Sequence, residues 1–240
     1  MSDSARPIAV VTGGAHGIGA AIVRELAKTG ARVLIVDRDG TAADNLAREV
    51  GGIAVRADAS DATALQSAFE HIDGSQPGVD ILVNNVGGAP SRTLEQMSVA
   101  DWDDTLALNL RSAFIATRGM LAAMRRRGGG SIVNVASIAA HGISPVGGAA
   151  YAASKAGVLA LTRQTAYEWA KYRIRANAVC PGPTRTPLTE RSTRTDADFP
   201  LGRWIEAADV AEAVIFLASD RSAMCSGTVL DVDGGIRLAP

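Results

Sequence analysis

Ile8-Ala9-Val10-Val11-Thr12-Gly13-Gly14-Ala15-His16-Gly17-Ile18-Gly19 reads as a short apolar strand, a glycine turn and the start of a helix. Ile8, Val10 and Val11 are β-branched and lie in a continuous apolar run, as suits a strand buried on both faces of a parallel sheet. Gly13, Gly14, Gly17 and Gly19 lack Cβ atoms, so backbone can approach a bound group and the helix can pack close to the strand. The free N–H groups and positive dipole end of that helix then face an anion, which suits a phosphate. The spacing is G-x-x-x-G-x-G rather than G-x-G-x-x-G, and a glycine cluster alone fits a structural turn equally well.

What separates the two readings is the next strand. Residues 33–36 are apolar and end in Asp37, about 20 residues beyond Gly17, where a dinucleotide-binding fold places the carboxylate that bonds the adenosine ribose hydroxyls. The combination predicts a nicotinamide-dinucleotide site.

With 240 residues, 47% hydrophobic and 20% charged, the chain suits one sizeable domain with a full core. A net charge of −1 argues against electrostatic attachment to nucleic acid or to an anionic membrane. Arg125, Arg126 and Arg127 are read as cations closing a helix before Gly128. Cys180 and Cys225 have no Cys or His partner at metal-ligand spacing, so no metal site is expected. The polar start at residues 1–7 lacks an apolar signal core, and no stretch approaches a membrane span, which predicts a reduced, cytoplasmic protein.

Along the chain, residues 20–28 carry Ile22, Val23 and Leu26 on one helical face and stop at Gly30. Residues 41–50 read as a helix, 53–55 as a third strand, and 62–72 as a helix behind a Ser-Asp start. A fourth strand, 80–83, runs into Asn84-Asn85-Val86-Gly87-Gly88. Ser98 with Asp101 resembles a capping box opening a helical region that contains Asn109 and runs to Met124. A fifth strand, 131–135, leads to Ser137. A long helix covers about 149–172, a sixth strand (175–179) turns at Pro181-Gly182-Pro183, and a helix (208–218) and a seventh strand (228–232) follow. This alternation predicts a single-domain, Rossmann-like, doubly wound α/β fold over 1–240 with a seven-stranded parallel sheet. Residues 184–200 are polar without apolar periodicity and are read as a mobile substrate lid rather than a packed element, with the lid segment running to about 204.

Tyr151 and Lys155 are four apart at the start of the long helix and share one face. Tyr167 and Lys171 repeat the spacing, but sixteen residues on, about 24 Å further along the helix and away from the strand ends where ligands bind. The second pair is read as amphipathic packing with a C-terminal cation. A phenol with pKa ~10 works near neutrality only if its anion is stabilised, which Lys155 and a cationic oxidised nicotinamide would do. Tyr151 is thus a candidate acid–base, and Ser137 a hydroxyl able to hold the substrate oxygen; alone, Ser137 suits a loop cap.

These motifs resemble the short-chain dehydrogenase/reductase family from end to end: TGGAHGIG (Thr12 to Gly19), NNVG (Asn84 to Gly87), Asn109, Ser137, Tyr151-x-x-x-Lys155 and Pro181-Gly182. The resemblance implies an NAD-dependent oxidoreductase acting on a small-molecule alcohol or ketone. It implies that Tyr151 is the acid–base and also contacts the cofactor, Ser137 orients substrate, Lys155 also binds the nicotinamide ribose, and Asn109 holds a water linking Lys155 to solvent. It places Gly13, His16, Gly17, Ile18 and Gly19 along the cofactor, Asp58 and Ala59 beside adenine, Asn85 and Gly87 lining it, and Pro181, Gly182, Thr184 and Thr186 at the nicotinamide end. It also implies a homotetramer, for which Ala152, Ala153, Ala156, Gly157 and Ala160 permit close helix contact. A 3-oxoacyl thioester reductase and a non-catalytic NAD-sensing protein are the competing readings. A serine hydrolase using Ser137 and His141 lacks the glycine-flanked elbow.

Three positions depart from the family pattern. Val86 replaces the usual alanine, which tightens the pocket. The interval from Ser137 to Tyr151 is one residue longer than usual, which reshapes the loop carrying His141; that histidine is read as solvated, with a substrate contact as the other reading. His16 stands where the family carries a phosphate-binding arginine. Asp37 repels the extra phosphate of NADP, while the adjacent Arg38 can pair with it. NAD is the expected cofactor: a fluorescence titration is expected to show tighter binding of NADH than of NADPH, and equal affinities would refute the reading.

Overall fold

The apolar runs form strands β1 (Ile8–Thr12), β2 (Arg32–Asp37), β3 (Ile53–Arg56), β4 (Ile81–Asn84), β5 (Gly130–Val135) and β6 (Ile174–Pro181). A short pair, β7 (Thr184–Arg185) and β8 (Ile205–Glu206), precedes β9 (Val229–Val232). The helices are α1 (Gly17–Lys28), α2 (Gly40–Val50), α3 (Ala62–Ser75), α4 (Val99–Leu106), α5 (Ser112–Arg126), α6 (Gly148–Trp169) and α7 (Ala207–Ala218). These elements come from a computed structural model that describes residues 6–88, 90–190 and 192–238. The polar start at 1–5 and the two C-terminal residues of the 1–240 range lie outside them.

Seven strands pair in parallel in the order β3-β2-β1-β4-β5-β6-β9, the predicted single α/β domain. Alternation along β1 sorts its side chains between two cores. Ala9 and Val11 join Ile22, Leu26, Val210 and Val214 under α1 and α7, whereas Ile8 and Val10 join Leu65, Phe69, Met120 and Met124 under α3 and α5. Chain order reverses between β1 and β4, and ligands of open α/β sheets bind at such a switch point, beyond the carboxyl ends of the strands.

A buried polar chain ties the helices to that point. Asn84 Nδ2 donates to Asn134 Oδ1 (2.8 Å) and to Thr117 Oγ1 (3.0 Å), and Asn134 Nδ2 donates to Thr162 Oγ1 (2.8 Å). Each buried donor is satisfied by a partner on another element, so β4, β5, α5 and α6 are held in one register.

The predicted elements fall within three residues of the observed ones except in three places. The helical region expected to run to Met124 is interrupted by a π-helical turn, Ala107–Arg111, although the Ser98–Asp101 capping box opens it as read. The long helix ends at Trp169 and continues as a 3₁₀ turn, Ala170–Tyr172, stopped by Arg173 at φ 59°. Tyr167 is 83% exposed, so it does not supply amphipathic packing, and Lys171 lies 5.2 Å from the centre of the Tyr172 ring.

The segment read as a mobile, unpacked lid is also more built than expected. β7 and β8 pair through Thr184↔Ile205 and Arg185↔Glu206, and the rings of Phe199 and Trp204 meet at 5.1 Å, both buried. Two aromatics in a polar stretch are enough to pin it, a signal that apolar periodicity does not capture.

Helix α1 can lie against β1 only because Gly19 has no side chain: a Cβ there would stand 2.0 Å from the Gly13 carbonyl oxygen. Gly19→Ala is expected to lower stability by about 1–3 kcal/mol or more. Thermal unfolding would report it as a Tm loss of roughly 2–4 °C per kcal/mol.

Candidate active site

The glycine turn carries Gly13 at φ 61° and Gly17 at φ 51°, a left-handed conformation that excludes other residues at low cost. His16 caps α1 without a side-chain bond, and the first turn holds no acidic residue. The helix dipole is therefore uncompensated where a phosphate would lie. Asp37, at the end of β2, accepts from Ala15 N–H (3.0 Å) and Asp39 N–H (3.0 Å), which aims its carboxylate along the turn. These features fit a dinucleotide. His16 is drawn aside to Asp39, Nε2 to Oδ2 3.0 Å.

Other residues assigned to the cofactor mostly brace the loops. Asn85 takes Thr12 Oγ1 through its backbone N–H (3.1 Å) and gives its Nδ2 to Gly13 O (2.8 Å). Val86 packs beside Gly13. Asp58, just past β3, accepts from the Ser60 N–H and hydroxyl, which lowers its carboxyl below the usual range; Ala59 beside it is buried. Gly182 N–H donates to Val232 O and follows the buried end of β6 at Pro181. Thr184 donates to Gly182 O (2.9 Å), and Thr186 lies against Gly17, 3.3 Å from where a Cβ would project.

Ser137 leaves β5 facing the start of α6. Its hydroxyl caps the Ala139 N–H (3.2 Å) and faces the Tyr151 phenol. Burial pushes the Tyr151 phenol above its ordinary value, and the Ser137 hydroxyl works against that rise. One turn on, Lys155 is 3% exposed, donates to Val135 O (2.9 Å) and sits 5.8 Å from the Tyr151 ring centre. Loss of hydration drops its ammonium to about 8. In the protein alone Tyr151 is thus a neutral phenol beside a lysine that is easily deprotonated, rather than the lowered phenol expected from the pair.

Asn109 occupies the π-helical turn, where an extra residue rotates it inward. Its Nδ2 donates to Gly88 O (2.7 Å) and Thr105 O (2.8 Å), and its Oδ1 accepts from Gly88 N–H (3.1 Å). The side chain is therefore committed to backbone. Gly87 completes the convergence: a Cβ there would stand 2.7 Å from Lys155 Nζ and 2.9 Å from Asn109 Oδ1.

His141 is exposed, as expected of a loop histidine, but it is also tied to a partner. Its Nε2 donates to Asp231 Oδ1 (2.9 Å), and its side chain is 24% exposed. One donor atom each from His141, Cys180 and Asp231 lies within 4.8 Å of the others, a constellation missed because it is not local in sequence. An aspartate within the apolar strand Val229–Val232 was the signal available. A cleft of about 590 Å³ adjoins Thr186, lined by Arg185, Thr189, Glu190, Asp196 and Trp204.

Fold and site together define an oxidoreductase built on a dinucleotide-binding sheet. The family described as Enoyl-(Acyl carrier protein) reductase matches residues 13–237. D-threitol dehydrogenase of Mycolicibacterium smegmatis is 38% identical over 95% of this chain and 92% of its own length. The 3-oxoacyl-(acyl-carrier-protein) reductase FabG of Thermotoga maritima is 35% identical over 95% and 97%. A solved short chain dehydrogenase/reductase family protein superimposes with TM-score 0.89 at 36% identity, over 97% of this chain and 98% of that one. The chain belongs to the short-chain dehydrogenase/reductase family.

The lysine shift has a direct test, because the chain contains three lysines, Lys28, Lys155 and Lys171. A lysine whose pKa falls on folding is charged below the shifted value and neutral above it. NMR titration of ¹³C-labelled lysine is expected to show one resonance titrating near pH 8, absent in Lys155→Met; no such resonance would contradict the buried placement.

Proposed function

We propose that the protein is an NAD(H)-dependent oxidoreductase interconverting a secondary alcohol and its ketone. The observation that carries this is the meeting of Ser137, Tyr151 and Lys155 at the strand ends beside the glycine turn. When bound, the dinucleotide supplies the hydride donor or acceptor. Ser137 holds the substrate oxygen against Tyr151. In reduction, the neutral Tyr151 phenol gives its proton to that oxygen; in oxidation, the phenolate takes it back. Lys155 supplies positive charge below the phenol and would hold the nicotinamide ribose, while Asn109 stiffens the loop at Gly87 and Gly88 that packs against it.

Asp37, with its carboxylate directed by two backbone N–H groups and Asp39 close by, supports NAD over NADP. The polar cleft beside Thr186 and the likeness to D-threitol dehydrogenase support a hydroxyl-rich small substrate, with residues 184–204 closing over it. The FabG relative favours a second reading, a 3-oxoacyl thioester reductase; the family resemblance implies NADPH for most such reductases, so Asp37 counts against it. A cytoplasmic homotetramer belongs to the same reading, and Ala153, Ala156 and Ala160 are exposed along α6 where a neighbouring helix can approach.

Nicotinamide absorbance across polyols, simple secondary alcohols and 3-oxoacyl thioesters, with both cofactors, tests the proposal. Turnover with NAD is expected, and Tyr151→Phe should lower kcat by about 10²–10⁴-fold while leaving NADH binding in place. Undiminished turnover in Tyr151→Phe would defeat the mechanism, and tight NADH binding without turnover of any of these substrates would favour the sensing protein.

A further inference from the structure

We propose that His141, Cys180 and Asp231 form a binding site for one thiophilic divalent cation of the Zn²⁺ class, and that its occupancy disables the neighbouring Ser137. Three separate elements supply the donors: the 3₁₀ turn after β5 (His141), the end of β6 (Cys180) and β9 (Asp231). Cys180 and Asp231 are register partners on adjacent parallel strands, which puts their side chains on the same face of the sheet. His141 closes over them from the solvent side.

The donor set is thiol, imidazole and carboxylate, which selects zinc or cadmium over the oxygen-seeking magnesium and calcium. The carboxylate is already oriented for a metal. Arg237 donates to Asp231 Oδ2 from Nε (3.1 Å) and Nη2 (2.6 Å), leaving Oδ1 to face His141, and such outer partners fix a ligand's direction. Tetrahedral zinc, with bonds of about 2.0–2.3 Å, spaces its donors roughly 3.3–3.8 Å apart. The His141–Asp231 contact at 2.9 Å must therefore open slightly, and the thiol, within 4.8 Å, must close. His141 sits on a four-residue turn, Ile138–His141, so it is the ligand free to move.

Charge balance is consistent with this assignment. Cys180 is fully buried, and Asp231 is paired with Arg237 (2.6 Å). A divalent ion replaces the thiol proton, and thiolate plus carboxylate then neutralise it. The link to Ser137 is short: Ser137 is the cap of the turn that carries His141, its hydroxyl accepting the Ala139 N–H (3.2 Å). A histidine drawn toward a metal shifts the turn that this serine caps, and with it the hydroxyl that must meet the substrate oxygen. The loss of turnover rests on the oxidoreductase reading above; the binding site does not.

Tag-free protein dialysed against ZnCl₂ and read by elemental mass spectrometry is expected to hold one ion per chain and to gain Tm with zinc. Cadmium is expected to give a thiolate charge-transfer band that Cys180→Ser removes. His141→Gln should weaken binding by roughly 10-fold or more and move the zinc-dependent Tm gain to correspondingly higher zinc, whereas His71→Gln, at a histidine outside the cluster, should change neither. Zinc should lower turnover over the same concentration range as it binds, and this inhibition should weaken in parallel in His141→Gln. Substoichiometric zinc, or affinity unchanged in His141→Gln, overturns the site. Stoichiometric binding with undiminished turnover overturns the coupling to Ser137. Should no substrate be found, dialysis and Tm still decide the site.

Discussion

The space between the Gly13 carbonyl and the backbone of Gly19 is too small for a methyl group, and the front half of the molecule depends on that closeness. It brings α1 down onto β1, buries Ile22, Val23 and Leu26, and leaves the helix N-terminus pointing out of the sheet at the switch point. The same turn offers the Ala15 N–H to Asp37, so one backbone conformation fixes both a phosphate-sized anion site and the acid at the end of the next strand. A residue with a side chain at Gly13 or Gly17 would also have to adopt positive φ, and the turn would open.

The rear half is organised by a buried ammonium. Placing Lys155 almost out of reach of water costs stability unless its hydrogens are met, and Val135 O meets one of them at the end of β5. That contact fixes α6 relative to the strand that delivers Ser137. The helix phase is fixed a second time by Asn134 to Thr162. With α6 held at two levels, Tyr151 has little freedom, and its phenol faces Ser137 within a desolvated pocket. The same desolvation weakens the lysine as a charge, so the site sits close to the boundary between its charged and neutral forms.

Cys180 stands where these two systems touch. It is fully buried and lies beside Lys155 on one side and the His141–Asp231 pair on the other. The loop between Ser137 and Tyr151 brings His141 there and so adds a polar group to the edge of the site.

Local chemistry carried much of this protein in readable form. The strands at 8–12 and 33–36 are visible as β-branched runs because burial on both faces demands them, and the glycine turn and Asp37 are visible because backbone geometry and a carboxylate admit few substitutes. Tyr151 and Lys155 could be told from Tyr167 and Lys171 by position on the helix alone. What stayed hidden depends on distance in sequence. The π-helical turn that rotates Asn109 arises where two helices meet the loop at Gly88, with no residue type to announce it. Phe199 and Trp204 pin a polar segment through a single ring contact, below the reach of periodicity. His141, Cys180 and Asp231 are separated by 39 and 51 positions, and only the register of β6 with β9 and the path of the loop after β5 bring them together. Sequence determines what each segment becomes, since that is set by neighbours along the chain; the sheet decides which distant groups share a pocket, since strand pairing is the step that converts order along the chain into contact.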